Sequence, residues 1–254
     1  MNHYDRLKVN QEYYDRVEML IMPTRNEAAI FTTVHIHAPK LVTYLKSNGL
    51  RFFPYVLYSC LKTVNKHPNL KRFVIGHKVY DHKRILISTV IKRDKEDEKS
   101  NTFVKFELKE NMTTHDVQGL LDQLIDHTRS EKKHDTDQLM RFLSHLPTFV
   151  FSIALKIASF LDKYDLLPNA IIKSDPLHTG LVIANLGSIK GQSVSHHLFN
   201  WGTCSMVITI GEFTASGDVD VTFSVDERIA EGVAFFKAID TFRNLLENPD
   251  DLNG

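Results

Sequence analysis

Apolar positions along this chain recur with two alternating periods, one that suits strands and one that suits helices. Residues 30–37 (IFTTVHIH) are rich in β-branched side chains and predict a strand; Pro39 then opens a short helical stretch that Asn48-Gly49 closes. Phe53, Val56, Leu57, Cys60, Leu61 and Val64 fall at i, i+3, i+4, i+7, i+8 and i+11, a wide apolar stripe down one helix. Residues 73–80 and 84–92 read as two strands of a hairpin around Asp81-His82-Lys83. The run 92–99 (KRDKEDEK) carries both signs and no apolar residue, the signature of a solvated loop. Residues 101–108 predict a further strand. From 114 to 161 the pattern is helical, with a polar break over 130–137 and a kink or a junction at Pro147. Apolar side chains all round its last part predict burial on more than one side, against the core or a partner chain.

Three strands follow, at 180–185, 206–213 and 219–225. In the last, Val219, Val221, Phe223 and Val225 alternate with Asp218, Asp220, Thr222 and Ser224, which predicts one dry face and one wet one. A helix over about 233–246 carries Phe235, Ile239, Phe242 and Leu246 on one stripe and ends at Asn248-Pro249. With no repeat, low-complexity tract or Gly/Ser linker, residues 1–254 read as a single α+β domain with a mostly antiparallel or mixed sheet.

Composition narrows the function classes. Apolar residues make up 43% and charged residues 24%, as in an ordinary globular protein. Thirty-one basic residues balance thirty-one acidic ones, which argues against a general attraction to nucleic acid or to an anionic membrane. Two cysteines, Cys60 and Cys204, exclude a disulfide scaffold and a four-thiolate metal site. The N-terminus lacks an apolar signal core. The most apolar stretch, 148–161, includes Lys156 and spans roughly 21 Å as a helix, short of the ~30 Å hydrocarbon layer. A soluble, cytoplasmic protein without a membrane span is the expectation.

Five short motifs, in order over about 30–249, resemble acyltransferases of the chloramphenicol acetyltransferase fold, including the catalytic domains of 2-oxoacid dehydrogenase acyltransferase subunits. LRFFPYVLYSCLKTVNKHPNLKRFVI (50–75) is similar to that family's helix and "N-x-HP-x-[LF]" turn, and GLVIANLGSI (180–189) to its "T-[IV]-S-N-L-G" strand and turn. ITIGEF (208–213), SVDERIAEG (224–232) and the closing LENP (246–249) sit where the family has its "ilgiG", "S-x-D-H-R-V-x-D-G" and "L-E-N-P" segments. The resemblance implies a two-layer α+β sandwich with helices on one side of a mixed sheet, assembled as a homotrimer with active sites between subunits. It also implies a histidine base, a serine that binds the oxyanion, and acyl-CoA as co-substrate with no permanently bound cofactor. No lipoyl or subunit-binding domain is expected beside the single acyltransferase-like domain.

The departures define the candidate site. The histidine position holds Glu227 and the aspartate position Glu231, while Asp226, Arg228 and Gly232 match. The serine position falls on Ala184, or on Ile183 in a register one off, and neither has a hydroxyl. A carboxylate is a weak base at neutral pH unless burial raises its pKa, so Glu227 serves as a base only if desolvated; otherwise it pairs with a cation and holds the loop. His196 and His197 could supply the missing base, since imidazole changes charge near neutral pH; the alternative is two loop histidines. The order NLGS, HHL, GT, IG, DER is similar to a bacterial branch of this fold family. His178 is a further candidate, and Asn185 could donate to an oxyanion. Arg25 matches the family arginine that pairs with the motif aspartate, which predicts a pair with Glu231. His35 and His37 share one strand face, but no third ligand is signalled and no metal site is expected. Two functions stay open: acyl transfer from a CoA-type thioester to a small hydroxyl, amine or thiol, and a catalytically inactive binding, regulatory or structural trimer. Trp201 or Phe199 filling the inter-subunit channel would favour the second.

Overall fold

A computed structural model describes residues 5–92, 101–130 and 147–249. The charged run 93–99, the polar break 131–137 and the chain before Pro147 lie outside the described residues. Among the described residues nine strands form two sheets: β1 (Leu7–Lys8), β2 (Ala29–His37), β3 (Arg72–Ile75), β4 (Lys78–Asp81), β5 (Ile85–Lys92), β6 (Asn101–Leu108), β7 (Leu181–Asn185), β8 (Met206–Ile210) and β9 (Asp218–Asp226). The large sheet has the order β2-β9-β8-β7-β5-β6 and the small one β1-β4-β3. β5, β7 and β8 run parallel and the remaining neighbours antiparallel, so the sheet is mixed. The described helices are α1 (Tyr13–Ile21), α2 (Pro39–Ser47), α3 (Phe52–Lys66), α4 (Thr114–Ser130), α5 (Thr148–Lys163), α6 (Asn169–Ser174) and α7 (Gly232–Glu247).

One face of the large sheet carries Ile36, Ile87, Ile183, Ile208, Val221 and Phe223, which join Leu57 and Leu61 of α3 and Phe242 of α7 in one core. Each such side chain, removed from water, contributes about 1.5–3 kcal/mol, which fixes the helices to that face. The opposite face carries Val182 and Val207, covered by Leu198 and Cys204 from the segment between β7 and β8. This is the expected two-layer α+β arrangement with helices on one side of a mixed sheet.

Three expectations change. Residues 73–80 are not one strand paired with 84–92 but a hairpin of their own: Gly76 and His77 both have positive φ (59° and 62°) and turn β3 back along β4. Two successive positive-φ residues match the right-handed twist of a tight hairpin, and the Gly at the first eases it. β5 then leaves for the large sheet and pairs with β6 and β7. Met206–Ile210 ends before Phe213, whose ring stacks instead on Phe52 at 4.0 Å. Finally, α5 begins after Pro147 and is not buried against this chain's own core: Phe149, Ile153, Ile157 and Phe160 are exposed, and only Asp162 is buried.

Candidate active-site loop

β9 explains how the loop is held. Its alternation puts Val219, Val221, Phe223 and Val225 in the core, but the other face is wet only at its start, where Asp220 is exposed. Thr222, Ser224 and Asp226 are buried there, because the segment before β8 lies across them. A chain of hydroxyls joins the layers: Thr33 and Thr222 lie 2.9 Å apart, and Thr222 donates to Ser193 at 2.9 Å. The Thr209 hydroxyl donates to the Val194 carbonyl and accepts from its N–H, and the His196 N–H donates to Ser224 Oγ at 3.1 Å. The expected wet face is thus half covered. Small hydroxyl residues in place of charges at those polar positions are the sequence signal for it.

At the end of β9 the chain makes a short 3-10 turn, Glu227–Ile229. Asp226 and Arg228 turn inward: the guanidinium donates to both carboxylate oxygens at 2.8 and 2.7 Å and to the Met22 carbonyl at 2.7 Å. Glu227 between them is exposed, so the desolvation that would strengthen it as a base is absent within one chain. Its neighbours are acidic: burial, with help from Asp15, Glu227 and Glu231, pushes the Glu18 carboxyl of α1 above its ordinary value. Glu18 was not visible as part of this loop in the sequence, since nothing in α1 marks where it docks.

Arg25 corrects an expectation. It does not pair with Glu231, which is exposed at the start of α7. Its guanidinium is buried and donates to four carbonyls: Phe199 (2.9 Å), Trp201 (3.3 Å), Val74 (3.0 Å) and Gly202 (2.6 Å). These carbonyls lie on β3 and on the segment before β8, so the side chain is committed away from the surface where Glu231 sits. Arg25 therefore ties the His196–Gly202 segment to the start of β2 and the small sheet.

His196 is half-buried and His197 exposed, their rings stacked at 4.4 Å with Phe199 beside both. His196 Nδ1 lies 2.7 Å from the His197 carbonyl. A carbonyl only accepts, so Nδ1 carries the proton and a neutral His196 keeps its lone pair on Nε2. The His196 backbone is held over Ser224, three residues or about 10 Å along the strand before Glu227. Within the chain no hydrogen bond or ion pair joins Glu227 to His196 or His197.

The NLG turn follows β7. Ile183 is wholly buried on the helix side, whereas Ala184 faces the other side, opposite Thr209 of β8. The Thr209 hydroxyl beside it is spent on Val194. Gly187 packs against the Gly211 carbonyl so closely that a Cβ would lie 2.4 Å from it, and this holds half-buried Asn185 at the strand end.

His178 belongs elsewhere. It is buried between Asp175 (Nδ1, 2.7 Å) and Asp162 (Nε2, 3.3 Å), and those carboxylates bond Trp201 and Arg6 respectively. Burial pulls its pKa down, but the two carboxylates outweigh that and raise it. His35 and His37 are exposed and bond Asp220 and Asp218 across the strands at 2.7 and 2.6 Å. Among the described residues no group of three or more His, Cys, Asp or Glu is placed to hold a metal. Cys60 and Cys204 are buried, with thiols pushed up by burial to about 12 and about 11, so neither is a nucleophile at neutral pH.

No protein-family model and no curated protein matches the chain by sequence. Solved structures do match, end to end. A probable dihydrolipoamide acetyltransferase from Listeria monocytogenes 4b F2365 superposes with a TM-score of 0.58 at 14% identity, covering 98% of this chain and 97% of its own. A chloramphenicol acetyltransferase gives 0.60 at 10% identity over 96% and 98%. The dihydrolipoamide acetyltransferase of Azotobacter vinelandii, whose structure addresses the role of a serine, a histidine and an asparagine in catalysis, gives 0.60 at 10% identity over 97% and 95%. The fold is chloramphenicol acetyltransferase-like. In this chloramphenicol acetyltransferase-like chain the β8 approach, the β9 turn and the start of β2 meet at one end of the large sheet, where Asp226 donates its N–H to Ser205 and Glu227 its own to Ala28, while the turn after β7 lies at the opposite end, beside Ile210 and Gly211. No described helix is long and apolar enough to cross a membrane.

Proposed function

We propose that the chain is an acyltransferase acting through an atypical site, moving an acyl group from a CoA-type thioester to a small hydroxyl, amine or thiol acceptor. The observation that carries this reading is the fixed tautomer of His196, which leaves Nε2 as a base at the end of the sheet where Glu227 is exposed. His196 Nε2, or the His197 ring stacked on it, takes the proton of the acceptor as the acceptor's heteroatom bonds to the thioester carbonyl carbon. The Glu227 carboxylate stabilises the resulting imidazolium, and, since this chain's own Asn185 lies at the far end of β7 from Asp226, Asn185 of a neighbouring copy donates to the oxyanion in place of the hydroxyl that Ala184 lacks. The tetrahedral intermediate then breaks its C–S bond, and the departing thiolate takes the proton back. Asp226 and Arg228 hold the turn, and Glu231 starts α7. Acyl-CoA is co-substrate, and no resident cofactor takes part. The exposed apolar side of α5 supports assembly as a homotrimer, which would bring a neighbour's surface to this loop.

Release of free thiol from a panel of short acyl-CoA donors, with alcohol, amine and thiol acceptors, tests the reading. Turnover is expected, with a loss of about 10²–10⁴-fold in His196→Ala at unchanged fold. Absence of both turnover and thioester binding across the panel overturns it.

One observation favours a second reading, a non-catalytic binding or structural trimer. Ala184 has no hydroxyl, and the one on Thr209, its register partner in β8, is bonded to backbone. Thioester binding without turnover, or neither, is the outcome expected from that reading.

A further inference from the structure

Helix α5 is fastened to the protein by charge. Its one buried side chain, Asp162, is 5% exposed and lies against Arg6 of the N-terminal segment and His178 of the loop before β7. The Arg6 guanidinium also donates to the Asp162 carbonyl at 2.9 Å, lies 3.2 Å from Asp165, and passes over the Phe73 and Tyr80 rings. His178 Nε2 lies 3.3 Å from Asp162, and Nδ1 lies 2.7 Å from the Asp175 oxygen that also accepts from Trp201 Nε1. The Trp201 ring meets the imidazole edge-on at 5.4 Å. The other charged groups nearby are engaged elsewhere. Asp5 and His82 bond each other on the wall of a small cavity that Arg6 and His178 also line, and Asp5 accepts from the Arg84 N–H. The Lys105 ammonium donates to the Asp175 and His178 carbonyls, not to the ring.

A neutral imidazole has one N–H and one lone pair, so it serves one of its two carboxylates and turns the lone pair on the other; only the imidazolium donates to both. Once His178 is neutral, Asp162, Asp165 and Asp175 face Arg6 alone, and a buried carboxylate that loses its donor is costly. Burial opposes the charge on His178, but the two carboxylates outweigh it and raise its pKa. We propose that His178 is a proton-operated latch: as the imidazolium it clamps α5 to the loop before β7 through Asp162 and holds Trp201 through Asp175, and loss of that proton releases the C-terminal turns of α5. Docking is fully supported below the free imidazole value of ~6.5 and weakens as pH rises through the raised, latched value. Because α5 carries the apolar side assigned above to assembly, the same proton governs how that side is presented; this consequence alone rests on that reading.

Amide hydrogen exchange of α5, corrected for the intrinsic rate, is measured between pH 6 and pH 7.5, below the value of about 8 at which Lys105 loses its proton. Protection at residues 158–163 is expected to fall by up to about tenfold per pH unit above about 6.5. His178→Gln is expected to remove the dependence. Trp201 is the only tryptophan in the chain, so its emission gives a second reading, expected to change with the same midpoint in the parent and to stay level in His178→Gln. Asp162→Asn keeps the test open if His178→Gln does not fold: an amide N–H at that position can face the lone pair of the neutral ring, so the fall in protection is expected to shrink. Level protection in the parent, or a fall of equal size in either variant, overturns the proposal. None of these outcomes depends on whether the chain turns over acyl-CoA.

Discussion

The Arg228 guanidinium grips both oxygens of Asp226, two residues away, and the residue between them is turned out to solvent. The side chains that hold the turn and the side chain it displays are thus separable. Asp226 is wholly buried, so taking away Arg228 leaves a buried carboxylate without its partner. Arg228→Met is expected to cost about 3–5 kcal/mol in urea unfolding. The double variant Asp226→Asn/Arg228→Met should recover part of that loss. Glu227→Gln should stay within about 0.5 kcal/mol of the parent, as exposed substitutions do. Equal losses at all three positions would contradict the division.

The glycine of the NLG turn sets a second expectation. A Cβ at Gly187 would meet the Gly211 carbonyl at 2.4 Å and the Glu212 backbone at 2.8 Å, and neither is a flexible side-chain end that could swing away. Gly187→Ala should therefore lower stability by about 3 kcal/mol, the upper range for overpacking. Gly49→Ala is the informative control. Its φ is +64° but nothing lies within 4 Å of the added carbon, so that variant reports backbone strain alone. Thermal unfolding of both separates close approach from conformation; a smaller loss at Gly187 than at Gly49 would refute the contact argument.

The network around His178 predicts a pH dependence. The folded-state pKa of His178 is raised, so its contribution is fully present below the unfolded value and is lost as pH rises through the folded one. Burial pushes the Asp162 and Asp175 carboxyls up, but the bonds from His178 and their other partners outweigh it and leave both lowered. Their contribution is present above the ordinary carboxylate value and lost as pH falls through the folded ones. Stability from this network should therefore peak in mildly acidic solution and decline through neutrality. Burial lowers Lys105 to about 8, and its deprotonation favours the folded state above that pH. The comparison of parent with His178→Gln is thus best made between about pH 5 and about pH 8. Urea midpoints of the parent should fall over that interval while those of the variant stay nearly level.

Much of this architecture was legible from periodicity, because the sheet buries one face against helices and leaves a strict alternation in β9 and a 3.6 period in α3 and α7. What was hidden depends on contacts distant in sequence. The Gly76-His77 turn lay inside an apolar run that reads as one strand, since a hairpin whose strands are both half-buried does not interrupt hydrophobicity. Arg25 matched a motif position, yet its four carbonyl partners come from residues 74 and 199–202, and carbonyls leave no trace in a sequence. Asp226 and Arg228 could be placed at the loop from DER, but their inward turn, and the outward turn of Glu227, follow from the 3-10 geometry.

Helix α5 supplies the last prediction. Its apolar side chains predicted burial, and in one chain Phe149 is 68% exposed, Ile157 55% and Phe160 59%. A helix this apolar with one solvent-facing side is unfavourable in a free monomer, and scattered exposure does not account for four large side chains on four turns. A second copy of the chain is the occupant we expect. Because these side chains make no core contacts, Ile157→Glu should leave the unfolding free energy of a dilute monomer within about 0.5 kcal/mol of the parent. It should nonetheless shift the sedimenting species from trimer to monomer. If the parent itself sediments as a monomer at micromolar concentration, assembly through α5 is wrong. A site that joins His196 and Glu227 to Asn185 would then be excluded as well, because within one chain Asn185 lies at the opposite end of the sheet from Glu227.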